Sequence, residues 1–167
     1  WTLTEVERLR PSADMNMRTV EEPIEVGDYV VPSGWLMQTT AEVAHTLPEL
    51  WTNPTQFDPL RYAPGREEDK QHRFALIGFG GGTHKCTGMN FANNEMMVIT
   101  ALLFQQFDLE LITTKTEVER GMGANRPTKT LIRYRRKPLN ELVSAEVVKE
   151  AVQAGCPHIT QLAAQTS

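Results

Sequence analysis

Cysteine is scarce in this chain of 167 residues, which contains only Cys86 and Cys156. Two thiols so far apart in the sequence do not make the framework of a disulfide-rich secreted domain, and a reducing compartment fits this usage better. Long hydrophobic runs are also missing, because the longest, from Val98 to Phe104, is too short to cross a bilayer. No segment has the pattern of a targeting signal. Any membrane anchor is therefore expected to lie outside this sequence.

An excess of basic charge is absent as well. The 17 lysines and arginines are outnumbered by 21 aspartates and glutamates, which gives a net charge of −4. Nucleic acid is therefore not an expected partner. The hydrophobic content of 40% is enough for the core of one domain. Because the sequence starts at Trp1, within a helical pattern and without a methionine, we expect it to be a fragment of a longer protein.

The order of residues predicts an α+β chain that is mainly helical and carries small antiparallel sheets. A helix is expected from Thr2 to Leu9, since Pro11 disfavours helical geometry in the residue before it. Two short strands separated by turn residues are expected within residues 24–37. Residues 53–69 contain three prolines and one glycine and are expected to form a long polar loop, here called the meander.

The second half of the chain is predicted to contain one long helix and a pair of strands. After position 86, apolar residues recur at steps of three and four, which predicts a helix of about four to five turns that is largely buried. Residues 107–112 and 130–136 have the composition of strands. Residues 138–167 are expected to form a C-terminal extension with a helix within residues 140–154, and the sequence does not indicate its role.

The most informative segment is the glycine-rich run that leads to Cys86, immediately before the long predicted helix. It extends from Phe79 to Gly88 and reads Phe-Gly-Gly-Gly-Thr-His-Lys-Cys-Thr-Gly. A helix N-terminus presents unpaired N–H groups and partial positive charge, which favours Cys86 as a thiolate. Glycines keep Cβ atoms away from a flat macrocycle, and a thiolate is the ligand that haem iron takes from cysteine. The segment therefore predicts a haem-thiolate site with Cys86 as the metal ligand.

A second group of residues combines the first helix with the meander. Glu5 and Arg8 are three residues apart on one helical face, so they can form an ion pair. Arg61 in the meander supplies a second guanidinium, and one carboxylate can accept hydrogen bonds from two such groups. We therefore expect these three side chains to form a buried structural triad that holds the meander against the helix. Glu7 and Arg10 repeat the same spacing and form a competing register.

Three motifs follow one another within about eighty residues of this sequence: Glu-x-x-Arg, Pro-x-Arg-aromatic and Phe-x-x-Gly-x-His-x-Cys-x-Gly. In this order they resemble the C-terminal part of a cytochrome P450, a haem-thiolate monooxygenase. The resemblance extends over residues 4–137 and implies the corresponding, incomplete part of the P450 fold, with residues 1–137 as its haem-binding part. It also favours Glu5 with Arg8 as the first motif, because the family's Leu-x-Pro then follows directly.

The resemblance implies roles for individual residues. Cys86 would be the proximal ligand of the iron of haem b, and the side chains of Arg18 and His84 would bind the haem propionates. The implied cofactor-binding residues are Phe79, Gly82, His84, Cys86, Gly88 and Arg18. Phe79 is expected to pack beside the ligand, while the two glycines in this set allow the haem to approach. No catalytic residue beyond the ligand is expected within this chain.

The resemblance also implies a reaction for the whole protein, namely insertion of one oxygen atom of O2 into a lipophilic substrate. Electrons would come from a separate NADPH-dependent reductase. The segment from Ile132 to Lys137 is similar to the end of the sterol 14-demethylase branch, which makes a sterol a candidate substrate. A full-length relative would then be anchored in the endoplasmic-reticulum membrane and face the cytosol. The family's oxygen-activating acid–alcohol pair has no counterpart in this sequence, so the chain alone is expected to be inactive.

Two other functions stay open at this stage. A Cys2His2 zinc site in a binding module could be formed by His84, Cys86, Cys156 and His158. The single residue between the members of each pair departs from the usual two to four. The other alternative is a truncated protein without catalytic function.

Overall fold

The computed structural model describes residues 1–13, 15–121 and 124–138. The helices in these ranges are α1 (Thr2–Leu9), α2 (Ala41–Thr46), α3 (Glu68–Gln71) and α4 (Met89–Gln106). The strands are β1 (Met15–Thr19), β2 (Ile24–Val26), β3 (Tyr29–Val31), β4 (Leu36–Thr40), β5 (Phe107–Leu111), β6 (Val118–Glu119), β7 (Arg126–Pro127) and β8 (Ile132–Arg136). The prediction of helices combined with small antiparallel sheets is confirmed. The helix expected within residues 140–154 lies outside the described residues.

The described chain divides into two compact units. The first consists of Trp1–Met96 with Lys115–Lys129, and the second consists of Met97–Thr114 with residues 130–138. Helix α4 begins in the first unit and ends in the second.

Two strand pairs of the first unit are nested in the sequence, with the hairpin β2–β3 between β1 and β4. Strands β2 and β3 make the hairpin expected within residues 24–37, with Gly27 at a φ of +59° in its turn. Strand β1 pairs antiparallel with β4, from Met15 opposite Thr40 to Thr19 opposite Leu36. The β1 strand was not predicted, although Met15, Asn16, Met17 and Arg18 alternate between apolar and polar side chains, and its pairing with β4 defines it.

The apolar core of the first unit is small. Trp51, Tyr62 and Ala75 are buried together, and the partly buried Leu50 and Leu76 pack against them. Tyr62 ends a 3₁₀ turn, Pro59–Tyr62, whose first turn is capped by the side chain of the residue before it. The meander is therefore more ordered than the long loop predicted from its prolines, since it contains this turn and the start of α3.

The second unit is built around a two-stranded antiparallel ribbon of β5 and β8. Phe107 lies opposite Arg136 at one end, and Leu111 lies opposite Ile132 at the other. The rings of Phe107 and Tyr134 meet edge to face at 5.8 Å. Both strands agree with the predicted strands at residues 107–112 and 130–136.

Helix α4 has the predicted position and a length of 18 residues, or five turns, but the prediction that it is largely buried is wrong. No residue of α4 is buried, and Phe91 is 73% exposed. The reason is that the described residues provide no layer that covers its apolar side chains. None of the described helices is both long and apolar enough to span a membrane.

Candidate functional site

Cys86 lies in a loop, residues 77–88, that precedes α4 and is here called the cysteine loop. Hydrogen bonds between backbone groups fix its shape. Gly80 N–H donates to the Ile77 carbonyl at 2.8 Å, and Cys86 N–H donates to the Phe79 carbonyl at 2.8 Å. Gly80 has a φ of +74° and Gly82 a φ of +66°, values that L side chains rarely adopt. The glycines are therefore required by the turn that brings Cys86 back to Phe79.

Cys86 is exposed. A Cβ atom at position 82 would meet no atom within 4 Å, and one at position 88 would lie 3.8 Å from Cys86 Sγ. Within the described part of the chain, the N–H groups of Thr87 and Gly88 donate to no acceptor. Cys86 therefore lies just before α4 and is followed by two free backbone donors, and a side chain at position 88 would begin in contact with its sulfur.

Of the two residues that the sequence connects with haem propionates, His84 lies in this loop and Arg18 lies in β1. His84 ends a 3₁₀ turn, Gly82–His84, and is exposed. Arg18 is exposed in β1, and its guanidinium donates to the Met17 carbonyl at 2.7 Å. A Cβ atom on Gly80 would lie 3.5 Å from Asn16 Oδ1. Because alternate residues of a strand share a face, Arg18 is on the face of β1 that approaches the cysteine loop.

Glu5, Arg8 and Arg61 meet, and each side chain is fully buried. Arg8 binds the Glu5 carboxylate with two donors, at 2.9 Å from Nε and 2.8 Å from Nη2. Arg61 Nε donates to both oxygens of the same carboxylate at 3.1 Å. The structure thus uses the Glu5 register rather than the one of Glu7 and Arg10, whose guanidinium donates to the Leu9 carbonyl.

The arginines of the triad also bind the backbone that surrounds them. Arg8 Nη1 donates to the carbonyls of His45 and Pro54 at 2.6 and 2.7 Å. Arg61 donates to the carbonyls of Thr52 and Gln56 at 2.9 and 3.1 Å. Both guanidinium groups lie against the Trp51 ring, 5.2 and 5.8 Å from its centroid. Buried charge is therefore compensated on every side, which buried ion pairs require.

Sequence reasoning missed two further members of this cluster, Tyr62 and Glu68. Tyr62 donates its hydroxyl proton to Glu5 at 3.0 Å. Glu68 accepts from Arg61 at 2.7 Å, from Arg66 at 2.6 Å and from the Thr52 N–H at 3.0 Å. No local signal distinguishes Glu68 from its acidic neighbours, and only the fold selects it. Burial by itself raises the pKa of Glu68, but hydrogen bonds from Arg66, Thr52 and Arg61 lower it overall.

His45 was also missed, although it is fully buried and bridges α1 and the cysteine loop. Its Nδ1 lies 2.9 Å from the Arg8 carbonyl, and its Nε2 accepts from the Ile77 N–H at 2.9 Å. Burial lowers its pKa, and the Arg8 charge lowers it further. The neutral imidazole therefore joins α1 to Ile77, the first residue of the cysteine loop.

Glu7 takes part in a different contact from the one its spacing suggested. It packs so closely on Gly78 that a Cβ atom there would lie 2.6 Å from Glu7 Oε1 and 2.8 Å from its Cγ. Burial raises the pKa of Glu7 to about 7, against the opposing effect of the Lys85 charge. This carboxyl group therefore lies at the edge of the cysteine loop, and burial favours its protonated, neutral form.

The zinc alternative receives no support. The described residues contain no group of three or more His, Cys, Asp or Glu side chains that could hold a metal ion. Two of the four suggested ligands, Cys156 and His158, lie outside those residues.

Comparisons with known proteins agree on one family. Residues 1–132 match the family model of cytochrome P450. The chain is 34% identical over 145 residues to a sterol 14-demethylase of Arabidopsis thaliana, a match that covers 83% of this chain and 30% of the relative. It is 39% identical over 104 residues to putative cytochrome P450 136 of Mycobacterium tuberculosis, covering 62% of this chain and 21% of the relative.

A solved structure shows the same fold. Retinoic acid-bound cyanobacterial CYP120A1 superposes with a TM-score of 0.75 at 30% identity, over 81% of this chain and 32% of that one. The matches therefore span between about a fifth and a third of the length of these proteins.

Proposed function

The chain belongs to the cytochrome P450 family, and on this premise we propose that it is the haem-binding part of a monooxygenase in which Cys86 is the iron ligand. The observation that carries the proposal is the exposed sulfur of Cys86 at the start of α4, in a loop whose glycines leave space beside it. The haem-binding part is residues 1–137. The role of residues 138–167 is not included in the proposal.

The residues present fit haem b. Gly82 and Gly88 leave the face of the loop open, and the free N–H groups of Thr87 and Gly88 can donate to the sulfur, which stabilises the thiolate. Phe79 holds the loop through its carbonyl and stays half-buried beside the ligand. When bound, the haem supplies an iron centre that activates O2 for insertion into a C–H bond.

We propose that Arg18 and His84 bind the haem propionates. The proposal is supported by the exposure of both residues and by the approach of the β1 face that carries Arg18 to Gly80. The triad of Glu5, Arg8 and Arg61 takes no part in chemistry, because its members are fully buried and bound to one another. Its proposed function is to hold α1 and the meander as a rigid support.

The finer features of the reaction follow from the family and from the relatives. The proposed substrate is lipophilic, and a sterol is favoured because the Arabidopsis relative is named a sterol 14-demethylase. The other substrate is O2, and the electron donor is an NADPH-dependent reductase. The proposed location of the whole protein is the cytosolic face of the endoplasmic-reticulum membrane. The chain of 167 residues alone is proposed to be inactive.

Replacing the ligand tests the proposal. In the haem-loaded protein that contains this chain, Cys86→Ser should abolish the absorption spectrum of thiolate-ligated iron and the hydroxylation of the substrate. Cys156→Ser removes the other cysteine and should leave both unchanged. Retained thiolate ligation in the Cys86 variant, or stoichiometric zinc without haem in the unmodified protein, would overturn the assignment.

A further inference from the structure

His45 is the one fully buried histidine of the described residues, and it lies outside the residues assigned to the haem or to the triad. Both ring nitrogens are engaged, one by the Arg8 carbonyl and the other by the Ile77 N–H, each at 2.9 Å. A carbonyl oxygen can only accept a hydrogen bond, and a backbone N–H can only donate one. His45 must therefore carry its proton on Nδ1 and present Nε2 as an acceptor.

The contact with Ile77 continues into the cysteine loop. The Ile77 carbonyl accepts from the Gly80 N–H, and the Phe79 carbonyl accepts from the Cys86 N–H, each at 2.8 Å. A short series of hydrogen bonds and one turn thus connects the imidazole to the backbone of the proposed ligand. The contact between His45 and α1 is strengthened by a second hydrogen bond, because the Arg8 guanidinium donates to the His45 carbonyl at 2.6 Å.

We propose that His45 is a positioning residue for the iron ligand: its Nε2 holds the first residue of the cysteine loop, and this contact keeps Cys86 where a thiolate can bind iron. The inference rests on the proposed function, because it gives His45 a role only if Cys86 is the ligand. Removing the acceptor leaves the Ile77 N–H unpaired in a partly buried place, which frees the turn that ends at Cys86.

Two substitutions separate the two hydrogen bonds of the ring. In His45→Asn the side-chain NH2 can replace Nδ1–H as the donor to Arg8, but no atom reaches Ile77. In His45→Gln the longer side chain can place its carbonyl oxygen near the position of Nε2, but the donor to Arg8 is lost. The pair therefore distinguishes the tether to the loop from the tether to α1. Trp51→Phe, which deletes the hydrogen bond from the indole to the Ala44 carbonyl, is a control for general loss of stability.

The first measurement is amide hydrogen exchange in the full chain. His45→Asn should raise the exchange rate of Ile77 and of the loop amides about tenfold, because losing one net hydrogen bond changes the opening equilibrium by roughly this factor. His45→Gln should keep Ile77 protected, and Trp51→Phe should not single out the loop. Equal exchange of Ile77 in the Asn variant and in the unmodified chain would overturn the proposal. If the Asn variant does not fold, the Gln variant decides, and a tenfold rise at Ile77 there would also overturn it.

The second measurement is spectroscopic and uses the haem-loaded protein. The carbon monoxide complex of reduced iron shows whether the sulfur is bound as thiolate or as thiol, so His45→Asn should lower the thiolate fraction by about half or more and His45→Gln should restore it. An unchanged thiolate fraction in the Asn variant overturns the role of His45. Absence of thiolate ligation in the unmodified protein overturns the proposed function instead, so the two failures are distinguishable.

Discussion

At the scale of single residues, Glu5 and Glu7 show how a shift of two positions on one helix reverses the properties of a carboxyl group. Burial raises the pKa of Glu5, but hydrogen bonds from Arg8, the Asp58 N–H and Tyr62 outweigh it and lower the pKa to about 2. Glu7 is half-buried and accepts no hydrogen bond from the described residues, and its pKa is raised to about 7. One group is stabilised as an anion and the other as a neutral acid.

The raised pKa of Glu7 predicts a loss of stability with rising pH. Between pH 4.5 and about 7 the folded chain keeps a proton on Glu7 that the unfolded chain has released, so the contribution of Glu7 to the free energy of unfolding falls through this interval and is constant above it. The lowered pKa of His45 acts in the opposite direction below pH 6.5, so the contribution of Glu7 is the difference between the unmodified chain and Glu7→Gln. Glu7→Gln should remove this fall and stabilise the chain above pH 7 by at most about 3 kcal/mol. Urea unfolding at several pH values measures it, with Glu95→Gln, an exposed glutamate of α4, as the control. A fall of unchanged size in Glu7→Gln would show that another group causes it.

The two classes of ion pair in this chain should differ in energy. Arg61 is fully buried against Glu5 and Glu68, so Arg61→Ala leaves two carboxylates without their partner and should cost about 3–5 kcal/mol. Arg133 pairs with Glu110 across β5 and β8 but is 69% exposed, so Arg133→Ala should cost less than about 1 kcal/mol. Urea unfolding of both variants compares the free energies. Equal losses would mean that burial of the triad does not determine its energy.

At the scale of elements, α1 and the cysteine loop are joined by a close contact of Glu7 with Gly78. Gly78→Ala would place a Cβ atom 2.6 Å from Glu7 Oε1, so the glutamate must move. The substitution should cost about 1–3 kcal/mol as an overpacked contact. In a Glu7→Ala background the obstructing atoms are gone, and the same substitution should cost much less. A double-mutant cycle of unfolding free energies measures this coupling, and additive effects would show that the two residues do not obstruct each other.

Local sequence patterns correctly predicted those helices and strands that are determined by their own residues. Helix α1 ends at Leu9 as predicted, because Pro11 stops it within the sequence. Strand β1 was missed, because the alternation of residues 15–18 is short and the strand depends on a partner more than fifteen residues away. The α3 turn was likewise hidden in a segment whose prolines indicate a loop.

The candidate site divides in the same way. Cys86 was predicted from the glycines around it, and Arg61 was predicted as a second guanidinium that the Glu5 carboxylate can bind. Glu68 and His45 were not found, because a buried polar residue is recognised by its partners, and these lie in other elements. Burial of α4 was predicted wrongly, since periodicity identifies an apolar face but not whether the chain contains the layer that covers it.

At the scale of the whole molecule, the chain exposes much of its apolar surface. Val98 is 54% exposed and Leu102 is 47% exposed, one turn apart on α4. The match to the solved relative covers only 32% of that protein. Contiguous exposed apolar surface of this kind favours association.

The chain of 167 residues should therefore self-associate through α4. Val98→Glu with Leu102→Glu places two charges on the exposed face, where they break no buried contact and should shift the chain toward the monomer in size-exclusion chromatography. Asn90→Glu with Asn94→Glu adds the same charge to exposed polar positions of the same helix and controls for charge repulsion alone. If the control pair disperses the chain equally well, net charge rather than the apolar face governs the association. A larger effect of the first pair assigns the association to the apolar residues of α4, because both pairs change the net charge by the same amount.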